Sequence, residues 1–337
     1  MSAPLLIAHR GASGSLPEHT LAAYSLAILQ GADFIEPDLV ATRDGVLVAR
    51  HENEIGGTTD VAQHEEFAAR RRQQHIDGVL VEGWFTEDFT LAELRRLRVR
   101  ERIAHLRPQN ARHDGELLIP TFQEILQLLA QVNAGRRARG LPAVGVYPET
   151  KHPSHFASLG MALEPLLLVA LAAGANDAPV YIQSFEVGNL EALRSQCAYP
   201  LVQLMGAEGG PWDRALAGKP TSYQDMATPG GLQRIAGYAA AIGVQKEMVL
   251  LPQADGRLSP TALVREAHAA GLAVHVWTFR AENHFLPAAL RRGTDPATLG
   301  YLDREIRAFL EAGADGLFCD QPGLARAAMV EQGITRS

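Results

Sequence analysis

The sequence predicts an α/β protein: a closed (β/α)8 TIM barrel carrying a small inserted subdomain. Three observations predict it. Short apolar segments of strand length recur eight times, each followed sooner or later by a helix-like segment. Polar residues able to do chemistry stand at or just past the ends of those segments. Residues 52–118 break the alternation with a long polar run, so the chain divides into a barrel, residues 1–51 and 119–337, and a subdomain, 52–118, expected to cover the site.

The elements follow in order. Residues 5–8 form a first strand, and a helix over 20–30 opens behind Thr20 or His19 as a cap and stops at Gly31. A second strand covers 34–39. Asp44-Gly45 then marks a tight turn, so 41–51 reads as a hairpin that brings His51 back toward the strand ends. Inside the insertion, 91–97 is helix-like behind Thr90. Regular alternation resumes with helix 121–139 and strand 143–148, helix 157–173 and strand 180–184, and helix 187–195 and strand 201–204. Helix 230–241 precedes strand 248–251, helix 260–270 precedes strand 273–278, and helix 303–312 precedes strand 316–319. A last helix spans 323–331, and Gly174, Gly271 and Gly313 supply left-handed helix stops.

Composition narrows the function classes. The chain has 337 residues, 47% hydrophobic and 20% charged, enough for one large barrel core. A net charge of -7, with no sustained basic run beyond Arg70–Arg72, argues against nucleic acid as a partner. No window approaches ~18 consecutive apolar residues, so no membrane span is expected. Cys197 and Cys319 sit beside or within apolar segments and read as two separately buried thiols. The start, MSAPLLIAHRG, has no basic leader, which fits a cytoplasmic protein or an exported one whose leader has been removed. Nothing in the sequence specifies an oligomeric state.

Chemistry in such barrels sits at the C-terminal ends of the strands. Strand one ends in His9-Arg10-Gly11, strand two carries Glu36 and Asp38, and strand three ends in Glu149-Thr150-Lys151. The fourth ends in Gln183-Ser184-Phe185, the seventh in Trp277-Thr278-Phe279 and the eighth in Asp320. Residues two apart on a strand share a face, so Glu36 and Asp38 point together, and unpaired carboxylates there demand a cation. Glu36, Asp38 and Glu149 make an oxygen-only donor set, which suits Ca2+ or Mg2+ better than zinc. His9 and His51 suit a proton donor and acceptor, and Arg10 and Lys151 suit an anionic substrate. Together these point to phosphoryl transfer or phosphodiester cleavage. Gln183 reads either as a ligand contact or as a satisfied strand edge. Trp277 reads as a pocket wall or as barrel packing. Glu18 and Asp320 are rim acids suited to holding Arg10 or capping a helix. The remaining histidines, including His152 and His155, read as solvated or locally bonded.

These residues fall in motifs that resemble one family. HRG at 9–11, PEHTL at 17–21, GADFIEPDL at 31–39, TRDG at 42–45, the returning His51, E-x-K at 149–151, QSF at 183–185 and GADGLFCDQP at 313–322 are together similar to the glycerophosphodiester phosphodiesterases. The PEHTL form, the insertion after His51 and the segment PGGLQRIAGYAAAIG look most like the bacterial, periplasmic, calcium-dependent branch. The resemblance implies a barrel enzyme that hydrolyses glycerophosphocholine, glycerophosphoethanolamine and similar small phosphodiesters to sn-glycerol 3-phosphate and an alcohol. It implies His9 and His51 as the acid–base pair, Glu36, Asp38 and Glu149 as ligands of one divalent cation, Ca2+ ahead of Mg2+, and Arg10 and Lys151 as phosphate contacts. Glu52 stands where the family usually has Asp. A lysophospholipase D or a phospholipase C-like enzyme is the alternative; either needs an apolar rim, for which Trp84, Phe85 and Phe89 of the insertion are candidates.

Overall fold

The computed structural model describes residues 3–253 and 257–335. Its contacts fall into two compact units, one holding the chain up to His9, Ala27–Phe34 and everything from Tyr181 onward, the other Arg10–Leu26 and Ile35–Val180.

The first unit is built on parallel strands in the order Ile182–Ser184, Leu201–Met205, Ala241–Gln245, Ala273–Phe279, Gly316–Cys319 and Leu5–His9. Their residues are almost all buried, and their sequences are runs of Leu, Ile, Val and Phe, as expected for parallel strands covered on both faces. Helices Val187–Arg194, Leu263–Ala269, Leu302–Glu311 and Pro322–Glu331 lie between or after them. The sixth strand departs from expectation. It is Ala241–Gln245, of which only Ala241 fell in the expected helix 230–241, whereas 248–251 divides between a one-turn helix, Lys246–Val249, and an edge of the small hairpin Leu250–Pro252 with Leu258–Pro260. The helix stops at Ile235, ahead of Gly237, where the missing side chain disfavours a further turn, while Ile242 and Val244 fill the core as strand residues. Cys319 is buried as expected. Cys197 is only half-buried, and both thiols are free.

A buried histidine in this unit carries a measurable consequence. His275, on strand Ala273–Phe279, packs edge-on against Tyr181 with ring centroids 5.5 Å apart. Gly316 makes the room, since a Cβ there would lie 2.7 Å from the imidazole. Burial pushes the ring's pKa down to about 4, Asp315 opposing only in part. The unfolded chain therefore takes up a proton that the folded chain refuses as pH falls from about 6.5 toward 4. Stability on this account is intact above pH ~6.5 and falls by about 3 kcal/mol across that window. Denaturant unfolding of His275→Gln at a series of pH values is expected to lack that part of the acid slope; an unchanged slope would contradict it.

The strand expected over 34–39 is broken at Pro37 into Phe34–Glu36 and Asp38–Ala41, because proline cannot donate to a ladder. Asp38–Ala41 pairs in parallel with Glu149–Thr150 and antiparallel with Leu47–Ala49, the predicted hairpin, which turns at Gly45 with φ +76°. Helix Phe122–Arg137 starts at a Thr121 capping box, in which Thr121 and Glu124 satisfy each other's backbone N–H groups. The helix expected over 157–173 is two, Pro153–Ser158 and Leu163–Gly174, separated at Gly160, which adopts φ +73°.

Residues 52–118 lie in the second unit. They form single 3-10 turns, the hairpin Arg72–Ile76 with Val79–Gly83, and a short helix Leu91–Leu94 capped by Thr90. The hairpin turns on Asp77-Gly78, both with positive φ. Phe85 and Phe89 are fully buried, Phe89 lies edge-on to Phe67 at 5.1 Å, and the Trp84 indole N–H donates to the Phe67 carbonyl at 2.8 Å. Phe85 and Phe89 are thus packed inside the second unit and do not form an apolar rim.

Candidate active site

Three backbone hydrogen bonds set the acidic group. The N–H groups of Tyr147, Glu149 and Lys151 donate to the carbonyls of Ile35, Pro37 and Leu39 at 2.9, 2.9 and 3.0 Å. This register lays Glu149 beside Asp38, and Glu36 joins them from the end of its strand, so that one oxygen of each of Glu36, Asp38 and Glu149 lies within 4.8 Å of the others. All three are buried. The Arg10 N–H donates to Glu36 Oε2 at 2.8 Å, and Gly11 follows at φ +86°, where a Cβ would lie 2.7 Å from the Ala23 backbone.

The electrostatics are those of crowded like charges. Burial raises Glu36 well above the usual carboxylate range, and Asp38 and Glu149 push it further. Glu149 is likewise raised by burial to about 8, although Lys151 pulls it down. Asp38 goes the other way: burial opposes ionisation, but the Lys151 charge and the hydrogen bond from His19 outweigh it and hold this carboxyl ionised. Lys151 Nζ stands 2.7 Å from Glu149 and 3.3 Å from Asp38, and Arg10 Nε is 3.3 Å from Asp38. An oxygen-only group of three acids in which two resist ionisation is a site that could bind a divalent cation.

Around it stand residues that the sequence underrated. His19 is fully buried and has φ +55°; its Nε2 donates to Asp38 at 2.9 Å and its Nδ1 pairs with the Tyr24 hydroxyl at 2.8 Å, while the neighbouring Thr20 does the capping. Glu18 accepts from Arg10 at 2.9 Å, as expected of a rim acid. His51 Nδ1 lies against the Glu52 carboxylate. Burial, then Arg10 and Lys151, push the His51 pKa down to about 3, although 30% of its side chain stays accessible, so the ring is neutral near pH 7. Arg102, from the insertion, reaches both Glu18 and Glu52.

The other expected site residues lie in the first unit. His9 ends strand Leu5–His9, and its Nδ1 is 2.6 Å from Asp320, whose second oxygen accepts from Arg280 Nε at 2.9 Å. Asp320 thus holds both His9 and Arg280. Gln183 is buried in strand Ile182–Ser184, and Trp277 lies edge-on to Phe185 at 5.9 Å. His152 and His155 are bonded over long separations rather than locally, to Asp77 at 2.7 Å and Glu87 at 2.9 Å. Among the described residues no helix is long and apolar enough to cross a membrane.

Three buried acids that could hold a divalent cation, beside arginine, lysine and imidazole groups, suit a hydrolase acting on phosphate esters. Residues 9–324 match the glycerophosphoryl diester phosphodiesterase family. The chain is 33% identical over 96% of its length, and 85% of the relative's, to the glycerophosphodiester phosphodiesterase GDPD6 of Arabidopsis thaliana. It is 28% identical, over 94% of its length and 87% of the relative's, to the glycerophosphodiester phosphodiesterase of Haemophilus influenzae. A crystal structure of a putative glycerophosphoryl diester phosphodiesterase from Silicibacter pomeroyi superposes with a TM-score of 0.71 at 23% identity, over 100% of this chain and 96% of that one. An Oleispira antarctica phosphodiesterase in complex with the product sn-glycerol-3-phosphate gives 0.64 at 19%, over 97% of each chain. The fold is therefore the α/β barrel class with small extra sheets. The chain belongs to the glycerophosphodiester phosphodiesterase family, enzymes that hydrolyse glycerophosphodiesters to glycerol 3-phosphate.

Proposed function

We propose that the chain cleaves small soluble glycerophosphodiesters, glycerophosphocholine and glycerophosphoethanolamine among them, to sn-glycerol 3-phosphate and the free alcohol, with one bound divalent cation and with His9 and His51 moving the protons. The buried group of Glu36, Asp38 and Glu149 beside Arg10 and Lys151 carries this reading. A cation held by those three carboxylates would neutralise charge on the phosphate oxygens. Ca2+ is proposed ahead of Mg2+ on the similarity to the calcium-dependent, periplasmic branch, which also makes the periplasm the proposed compartment if a leader is removed, the cytoplasm otherwise. Arg10 and Lys151 contact the phosphate. Gln183 and Trp277 contact the rest of the substrate, and the Trp277 Nε1, buried with no hydrogen-bond partner among the described residues, supports that role. Residues 52–118 are proposed as a subdomain covering the site on the barrel of 1–51 and 119–337.

In the proposed reaction His51 Nε2 takes a proton from the nucleophile, water or the glycerol 2-hydroxyl. The nucleophile's oxygen bonds to phosphorus, the bond from phosphorus to the departing alcohol breaks, and His9 gives that alkoxide its proton. Where the 2-hydroxyl attacks, water then opens the cyclic phosphate. The His51–Glu52 pairing supports the acceptor role, because a ring donating its Nδ1–H leaves Nε2 unprotonated. A second reading, a lysophospholipase D or phospholipase C-like enzyme, is favoured by one observation: Val79 and Leu80, just past the Asp77-Gly78 turn, are 64% and 55% exposed. Rates on glycerophosphocholine and lysophosphatidylcholine separate the two.

The deciding experiment is glycerophosphocholine hydrolysis after chelation. Activity is expected to vanish and to return with Ca2+ more fully than with Mg2+. A rate untouched by the chelator would overturn the cation-dependent reading.

A further inference from the structure

One side chain of residues 52–118, Arg102, bridges two carboxylates of the second unit. Arg102 donates from Nη2 and Nε to Glu18 Oε1 at 2.6 and 3.1 Å, and from Nη1 and Nη2 to the two oxygens of Glu52 at 3.0 and 2.7 Å. Each carboxylate has a second client. Glu18 Oε2 holds Arg10 at 2.9 Å, and Glu52 Oε1 holds the imidazole of His51. One guanidinium thus sits at the junction of two short chains, one ending on a proposed phosphate contact and the other on a proposed proton acceptor.

Its own placement is fixed. The Glu101 carboxylate accepts from the Ile103 N–H at 3.0 Å and from Asn110 at 3.0 Å, while Asn110 and Arg107 both donate to the Ser13 carbonyl, at 2.9 and 3.0 Å. The loop that carries Arg102 is therefore tied to the loop that carries Arg10 and Glu18. A planar fork suits the task, since it can serve two carboxylates in fixed directions at once, which a lysine ammonium on its flexible stem cannot.

We infer that Arg102 is a positioning residue that aligns Arg10 through Glu18 and His51 through Glu52, so that the insertion supplies part of the catalytic machinery and not merely a cover. This rests on the reading of His51 and Arg10 given above. It predicts a divided phenotype. Glu52→Gln lowers kcat with KM little changed, Glu18→Gln raises KM and weakens binding of sn-glycerol 3-phosphate, and Arg102→Ala does both. A misplacement of about 1 Å at such a site costs roughly 10²-fold in rate.

The test measures kcat and KM on glycerophosphocholine with Ca2+ for Arg102→Ala, Arg102→Lys, the two glutamine variants, their combination and His51→Ala, with circular dichroism confirming folding. Arg102→Ala is expected to lose about 10²-fold in kcat/KM, to recover part of it when guanidinium is added at sub-denaturing concentration, and to cost little further in the Glu18→Gln/Glu52→Gln background. Arg102→Lys is expected to stay low. Activity of Arg102→Ala within threefold of the parent, or a loss that guanidinium never restores and that adds in full to the double variant, overturns the proposal. An inactive His51→Ala beside a fully active Arg102→Ala sinks only the role of Arg102. A fully active His51→Ala sinks the acid–base reading and this proposal with it.

Discussion

Replacing His51 by alanine is expected to slow glycerophosphocholine hydrolysis by about 10²–10⁴-fold, the usual cost of a lost general base. His9→Ala should cost a comparable amount on that substrate, and the two variants should part company on a p-nitrophenyl ester of glycerol phosphate. Nitrophenolate leaves without needing a proton, so a missing donor matters little there, whereas a missing acceptor matters as much as before. His51 is assigned as acceptor because burial, with Arg10 and Lys151 nearby, keeps its ring neutral near pH 7, its pKa pushed down to about 3, and because Glu52 takes its Nδ1. His9 is oriented separately, by Asp320 at 2.6 Å. Ca2+ affinity measured by calorimetry should hardly change in either variant. Equal recovery of both variants on the activated ester would reverse or abolish the assignment of roles.

The residues most legible in the sequence were those whose meaning is local. Glu36 and Asp38 announce themselves because two acids in an apolar strand have no cheap structural explanation. Strand ends could be located from runs such as LLIAH and GLFC, and the Asp44-Gly45 turn foretold the return of His51. What the sequence hid were partners chosen across long separations. Arg102 meets Glu18 over 84 positions, and nothing near Arg102 distinguishes it from the other arginines of the insertion. His19 looked like a helix cap because it precedes one. Only the fold reveals that its left-handed backbone turns the ring onto Asp38. The sixth strand was misplaced for a different reason: helix 230–241 ran into its first residue and the apolar run 248–251 drew the strand, whereas tertiary burial of Ile242 and Val244 sets it at Ala241–Gln245.

Asp38→Asn should be the most damaging single change to the acidic group. Asp38 accepts from His19 at 2.9 Å and faces Arg10 and Lys151 at 3.3 Å each, so asparagine keeps the volume while removing the charge that holds three cationic or donor groups. Two consequences follow with opposite signs. Removing one acid relieves Glu36 and Glu149, both of which resist ionisation partly because Asp38 is charged, and this lowers their pKa values. Leaving Arg10 and Lys151 short of a partner costs more, because an uncompensated buried charge is worth about 3–5 kcal/mol and Asp38 is the member of the group that its neighbours hold ionised. The variant should therefore be less stable than the parent without added cation, by less than that full amount because Lys151 keeps Glu149 at 2.7 Å and Arg10 keeps Glu18 at 2.9 Å. The larger difference appears with Ca2+. A ligand at a hundred times its dissociation constant stabilises the state that binds it by about 2.7 kcal/mol, and this increment should be present in the parent and absent from Asp38→Asn. The rate should fall by roughly 10³-fold or more, since charge neutralisation worth several kcal/mol is lost at about 1.4 kcal/mol per decade. Thermal unfolding of both proteins with chelator and with Ca2+ reads the two effects apart. If Asp38→Asn gains as much from Ca2+ as the parent does, the ion is held by some other group of ligands, and the function proposed for the three acids fails with it.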